Sequence, residues 1–171
     1  MKKIDFRTDV LPLKNELYRL ALRITLNPAE AEDVVQDTML KVWNRREQWD
    51  QIENIEAFCL TTCHNLALDR QKRADNQVAT LDESYDAQDA HYASNPEEQA
   101  VVRDRIQLVR RLIDQLPEKQ RSCMQLRDIE GKSYKEIATV LNITEQQVKV
   151  NIFRARQAIK VKFEQTERYG L

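Results

Sequence analysis

Ser133–Gln157 reads SYKEIATVLNITEQQVKVNIFRARQ, the spacing of two helices joined by a short turn. Ser133 with Glu136 three residues on is a capping-box start. Ile137, Ala138 and Leu141 form the apolar face of this first helix, and Ala138 is small where a second helix must cross closely. Asn142 stands where the chain needs a left-handed residue, a place Gly usually takes and Asn tolerates. Ile143 plugs the turn, and Thr144 caps a last helix that can run to Glu167. There Val148, Ile152, Ala155 and Ile159 face inward, so the stretch is a helix-turn-helix pattern.

The outward side of the second helix follows: Glu145, Gln146, Gln147, Lys149, Val150, Asn151 and Arg154. Long amides and cations near the start of such a helix suit base edges in the major groove. From Lys149 to Lys162 there are five cations (Lys149, Arg154, Arg156, Lys160, Lys162) and no acid, a run that can neutralise phosphates. The plainer reading is a solvated amphipathic helix in an ordinary bundle, because charged helix faces are common. Turn residue, capping, spacing and one-sided charge together favour DNA binding.

Working outward, helical periodicity dominates. Leu13, Leu17, Leu20, Ala21 and Ile24 share one face between Leu11 and Leu26. Asn27-Pro28 restarts the chain into a second helix ending near Trp43 or Arg46; a polar stretch, then a third helix from Ile55 to about Arg73, follow. Asn95-Pro96 opens a fourth helix to about Gln115, and Leu116-Pro117 opens a fifth that Gly131 should end. The expectation is an all-α protein of two small helical domains, 1–75 and 96–171, joined by a flexible acidic linker over 76–95.

Composition narrows the function. The 171 residues hold 2 Gly and 6% aromatics, too few for a Gly-rich β-sandwich or barrel, and no phosphate-cradling glycine motif exists. No apolar run spans a membrane and Met1–Asp9 is charged, so the expectation is a cytoplasmic protein without a secretory signal. The net charge of −1 hides a gradient: −1 over 1–76, −6 over 77–100, +6 over 101–171. The basic last third is where an anionic partner belongs. Cys59, Cys63 and Cys123 read as small buried thiols, not as a disulfide framework or a zinc site, so no metal and no cofactor is expected. His64 on a helix and His91 in the linker have no catalytic frame around them, which argues against an enzyme.

Several segments resemble bacterial RNA polymerase sigma factors. Leu116-Pro117-Glu118-Lys119-Gln120-Arg121, Gly131–Ala138, Val148-Lys149 and Arg154-Ala155-Arg156 match their C-terminal domain, region 4. Ala31–Trp43 resembles region 2.2, and Ala57–Arg70 resembles regions 2.3 and 2.4. The short length matches the extracytoplasmic-function group. The resemblance implies a transcription initiation factor that binds RNA polymerase core, through the β′ clamp helices and β flap, and directs it to promoter DNA.

The resemblance also implies site roles. On the second helix Ala31, Val35, Thr38 and Val42 share one side, while Asp33, Gln36, Asp37 and Asn44, with Leu40 among them, share the other; in the family that surface docks on the clamp helices. From the spacing alone a solvated acidic face is the favoured reading, and the resemblance reverses that. Asn65, Asp69, Arg70, Lys72 and Arg73 form the polar and basic cluster implied to read and help melt the minus-ten element, where an unstacked base is captured near Asn65. By spacing alone Asn65 is also a plain solvent-facing residue. Gln146, Gln147, Lys149, Val150, Asn151, Arg154 and Arg156 are implied to read the minus-thirty-five element. Gln146-Gln147, Val150 and Asn142 depart from the family's commoner residues, which changes the sequence read rather than the fold. An anti-sigma factor is a further implied partner, with a monomer when free. A free-standing helix-turn-helix regulator is the competing reading, and it would need a dimerisation surface for paired half-sites.

Overall fold

The computed structural model describes residues 3–76 and 96–169. Among them there is no strand, and seven α-helices carry the architecture. The linker 76–95 and His91 lie outside the described residues, apart from Asn76, which ends the third helix.

α1 (Lys14–Thr25), α2 (Pro28–Asn44) and α3 (Ile55–Asn76) pack mutually around Leu17, Leu20, Ile24, Val34, Val42, Cys59 and Cys63. The break between α1 and α2 has a sharp local cause. Asn27 precedes Pro28 and so is held extended (φ −140°), and its side chain accepts from Glu30 N at 3.1 Å. The reversal then falls on Leu26, in the left-handed region at φ 56°. Before α1, Phe6–Val10 forms a π-type turn, an element the charged N-terminal sequence did not suggest. Phe6 meets the rings of Trp43 and Trp49 at 5.3 and 6.4 Å, and Trp49 Nε1 donates to the Val42 carbonyl at 3.0 Å. This aromatic knot fixes the end of α2 against the turn 46–51.

The second half holds α4 (Pro96–Asp114), α5 (Glu118–Met124), α6 (Tyr134–Leu141) and α7 (Glu145–Tyr169). The expected fifth helix is shorter than the sequence suggests: it relaxes into a π-type turn over Gln125–Ile129 before Gly131 reverses at φ 71°. The capping box of α6 is complete, with Ser133 N to Glu136 at 3.0 Å and Glu136 N to Ser133 at 3.1 Å. Asn142 takes the left-handed turn at φ 54°. Val148, Ile152 and Ala155 are buried, as the helix-turn-helix spacing requires, and Ile159 is half-buried against Ile113, Leu116 and Met124.

The two halves pack on each other. α3 lies against α6, and α1 against α5, so Cys123, Leu126, Ile137 and Val148 join one apolar cluster with Leu17, Ile24 and Cys63. Around it runs a charge-matched rim. Arg19 is bidentate to Glu130 (2.6 and 2.8 Å), and Arg23 reaches Asp114 and Gln125, each at 3.0 Å. His64 Nε2 is 3.2 Å from Glu118. The Lys132 ammonium sits between Glu16, at 2.9 Å, and Glu56.

Candidate polymerase and nucleic-acid interfaces

Three exposed faces collect the residues singled out in the sequence. The first is on α2. At about 100° per residue, Asp33, Gln36, Asp37 and Leu40 fall within roughly a third of the helix circumference. Ala31, Val34, Val35, Thr38 and Val42 are buried behind them, and Leu40 is 59% exposed. The face is acidic with one bare aliphatic, a combination suited to a partner that offers cations around an apolar spot.

The second face is on α3, and here the predicted set divides. Asn65, Asp69, Lys72 and Arg73 fall on one exposed stripe. Arg70 is about 100° round from Asp69 and turns to α2. Its Nη1 donates to Glu30 at 2.8 Å and Asp33 at 3.3 Å, and its Nη2 donates to Asp37 at 3.0 Å. One cation of the predicted minus-ten set thus sits among the acids of the predicted polymerase set.

The third face is on α7. Gln146 and Arg154 are exposed, and among the described residues Arg154 makes no hydrogen bond or ion pair. Val150 and Asn151 are half-buried, and Asn151 Nδ2 donates to the Gln147 carbonyl at 2.8 Å. Gln147 is engaged at the helix start: Thr144 N donates to its side chain at 2.9 Å, and its own N donates to Thr144 at 3.1 Å. Arg156 lies off this side, bidentate on Asp128. Lys149 flanks it with Nζ 5.5 Å from the Tyr134 ring centroid, whose other cation is Arg127 at 4.4 Å.

Two residues of this third face were missed in the sequence. Phe153 is 68% exposed on the stripe of Gln146, Val150 and Arg154. Its apolar character hides it, but its position, out of step with Val148, Ile152, Ala155 and Ile159, was the available signal. Arg127 enters only through the tertiary fold, which brings it to Tyr134. A separate groove of about 320 Å³ opens between α4 and α7, lined mainly by Val109, Met124, Ile159 and Phe163.

Nothing in these faces is built for covalent chemistry. Cys59, Cys63 and Cys123 are buried and free, and burial, the dominant cause, pushes each thiol up to about 12, so no thiolate nucleophile forms near neutrality. Among the described residues no three His, Cys, Asp or Glu side chains converge on a metal position, and no helix is long and apolar enough to cross a membrane.

Comparison with known proteins gives the same two parts in the same order. Residues 10–77 match the family model "Sigma-70 region 2", and 106–159 match "Sigma-70, region 4". The chain is 31% identical over 157 residues to the RNA polymerase sigma-H factor of Pseudomonas aeruginosa, covering 88% of this chain and 81% of that protein. It is 34% identical over 148 residues to the ECF RNA polymerase sigma factor SigL of Mycobacterium tuberculosis, covering 85% and 81%. Its fold is similar to that of the sigma factor RpoE, solved with the anti-sigma factor NepR from Bartonella quintana: TM-score 0.72 at 22% identity, over 94% of this chain and 97% of that one. A second similar fold is CnrH, solved with the cytosolic domain of CnrY, with TM-score 0.66 at 20% identity over 93% and 87%. The chain therefore belongs to the RNA polymerase sigma factors of the extracytoplasmic-function group, and is a transcription initiation factor rather than an enzyme.

Proposed function

We propose that the three faces divide the work of promoter-directed initiation. Asp33, Gln36, Asp37 and Leu40 on α2 dock on the β′ clamp helices of polymerase core, and the apolar groove between α4 and α7 receives the β flap. The α3 stripe reads the minus-ten element, with Asn65 at the captured base: its amide offers both a donor and an acceptor to a base edge. On α7, Gln146, Val150, Asn151 and Arg154 meet the minus-thirty-five bases, with Phe153 placed for an apolar contact such as a thymine methyl. Lys149, at the flank of that stripe, serves phosphates, Arg156 is held off the stripe by Asp128, and Gln147 orders the helix start. Domain limits of 1–75 and 96–171 fit this division. One structural relative was solved with an anti-sigma factor and another with the cytosolic domain of CnrY, and we assign this chain an anti-sigma partner, a cytoplasmic setting and a monomeric free state.

The observation that carries the reading is that one chain presents two unlike faces on its two halves: an acidic face with bare Leu40 on α2, and a cationic face with unpaired Arg154 on α7. A self-sufficient regulator has use for the second alone. Run-off transcription on a genomic fragment library, with core polymerase with and without this protein, is the test. Discrete start sites that appear only with the protein are expected. Specific DNA binding by the protein alone, with no new transcript, would return the free-standing regulator.

A further inference from the structure

Arg70 is where two of these faces meet. Its guanidinium gathers Glu30, Asp33 and Asp37, which recur at three- and four-residue spacing along one edge of α2. The group is a quarter exposed, while Asp33 and Asp37 remain 57% and 45% exposed. Arg70 therefore covers only the edge of the acids nearest α3. Their outer edges, with Gln36 and Leu40 beyond them, stay open. A carboxylate has two oxygens and about four lone-pair sites, so one acid can serve an inner and an outer cation at once.

From this sharing of carboxylates we propose that Arg70 is a positioning residue and not a DNA contact. It ties the reading helix α3 to the acids that receive polymerase, so that the face engaged by core also sets where Asn65, Asp69, Lys72 and Arg73 stand. The inference rests on the proposed polymerase contact of α2. Geometry separates the two roles for Arg70: a DNA contact needs its guanidinium on the stripe of Asn65 and Asp69, whereas Arg70 is set about 100° round from Asp69 and about 140° from Asn65, with its guanidinium on Glu30, Asp33 and Asp37. Chemistry separates them too. A phosphate accepts Lys nearly as well as Arg when it needs only a point charge, whereas three carboxylates on two helix turns need the planar fork.

The test uses full-length protein, core polymerase and a promoter taken from the run-off experiment. Wild-type protein must first drive that promoter; if it does not, the functional reading fails before this inference is reached. Given activity, Arg70→Lys and Arg70→Ala are expected to lower open-complex formation by about tenfold, the scale of three partly exposed ion pairs near the middle of their usual range. Core affinity should not weaken, because removing Arg70 leaves the acidic face more negative toward a cationic partner. The slope of promoter affinity against salt should be unchanged, and the loss from Asp37→Asn should be smaller in the Arg70→Ala background than alone. Thermal melting of each variant separates a folding loss, and Arg70→Lys keeps the charge if Arg70→Ala is poorly folded. Three results overturn the proposal: Arg70→Lys with wild-type activity, a salt slope lowered by about one in Arg70→Ala, or additive losses with Asp37→Asn.

Discussion

Lys132 offers the sharpest test of how the two halves hold together. It stands in the loop between Gly131 and Ser133, with its ammonium between Glu16 of α1 and Glu56 at the start of α3. The Lys132 side chain is 17% exposed, Glu16 14% and Glu56 40%. Burial, the largest influence, raises the Glu16 carboxyl even against the attraction of Lys132. For Lys132, burial lowers and the hydrogen bonds to Glu56 and Glu16 raise, and the bonds win. Lys132→Met keeps the stem and deletes the charge, stranding two carboxylates at the contact. Removing one partner of a fully buried pair costs about 3–5 kcal/mol, and the partial exposure here brings the expectation to about 2–3 kcal/mol. For a chain of this size that is a drop of roughly 5–10 °C in Tm. Urea unfolding at pH 7 measures the cost, and small-angle scattering reads whether the halves separate. Adding Glu16→Gln to Lys132→Met should recover part of the loss, because it removes the more buried of the stranded charges. A shift under about 0.5 kcal/mol with an unchanged radius of gyration would show that the ion cluster does not hold the interface.

Three other expectations concern separate parts of the molecule. Arg154→Ala should lower promoter use by an amount that differs among minus-thirty-five variants, about 1–3 kcal/mol at the one base position it reads; transcription from a promoter panel measures this, and a uniform loss reduces Arg154 to a phosphate contact. Leu40→Gln should leave stability within about 0.5 kcal/mol, since the side chain is mostly in solvent, while weakening core binding at least tenfold, about 1.4 kcal/mol; equal affinities in a fluorescence titration would remove Leu40 from the docking face. Glu118 is pushed up by burial but brought below its ordinary value by its hydrogen bonds with His64 and Ser122 and by the charges of His64 and Arg121. A depressed carboxyl adds stability above its unfolded pKa, near 4.5, and that stability is lost as pH falls through the lower folded value. Glu118→Gln should therefore flatten the acid limb of stability below about pH 4.5 in urea unfolding, and an unchanged limb would mean that Glu118 adds nothing there.

Much of the fold is local in origin and was readable as such. The capping box at Ser133, the left-handed Asn142, the Thr144 cap and the Asn27-Pro28 restart each depend on a few neighbouring residues, and all form where the sequence places them. What was misread locally depends on distant partners. The fifth helix stops at Met124 and loosens, with Gln125 and Leu126 both buried, a burial that involves the other half of the chain. Phe6–Val10 starts from a local cap, the Asp5 side chain accepting from Thr8 N, and is held in place by Phe6 packing on Trp43 and Trp49.

For the sites, helical periodicity determined the outward side of α2 and most of that of α7, Phe153 excepted, because a rotation of about 100° per residue follows from backbone hydrogen bonding. Composition determined that the last third is cationic, and the paired motifs determined the family. Which charges are still free to meet a partner was a tertiary decision. Arg70, Arg156 and Arg154 are one residue type with one sequence-level expectation, yet Glu30, Asp33 and Asp37 engage the first, Asp128 engages the second, and the third projects unpaired from α7. The partners lie 28 to 40 residues away, and no local rule orients a side chain across that distance. The closed packing of the two halves is of the same kind: Lys132, Glu16 and Glu56 carry no sequence signal for one another, and only the folded chain brings their charges into reach.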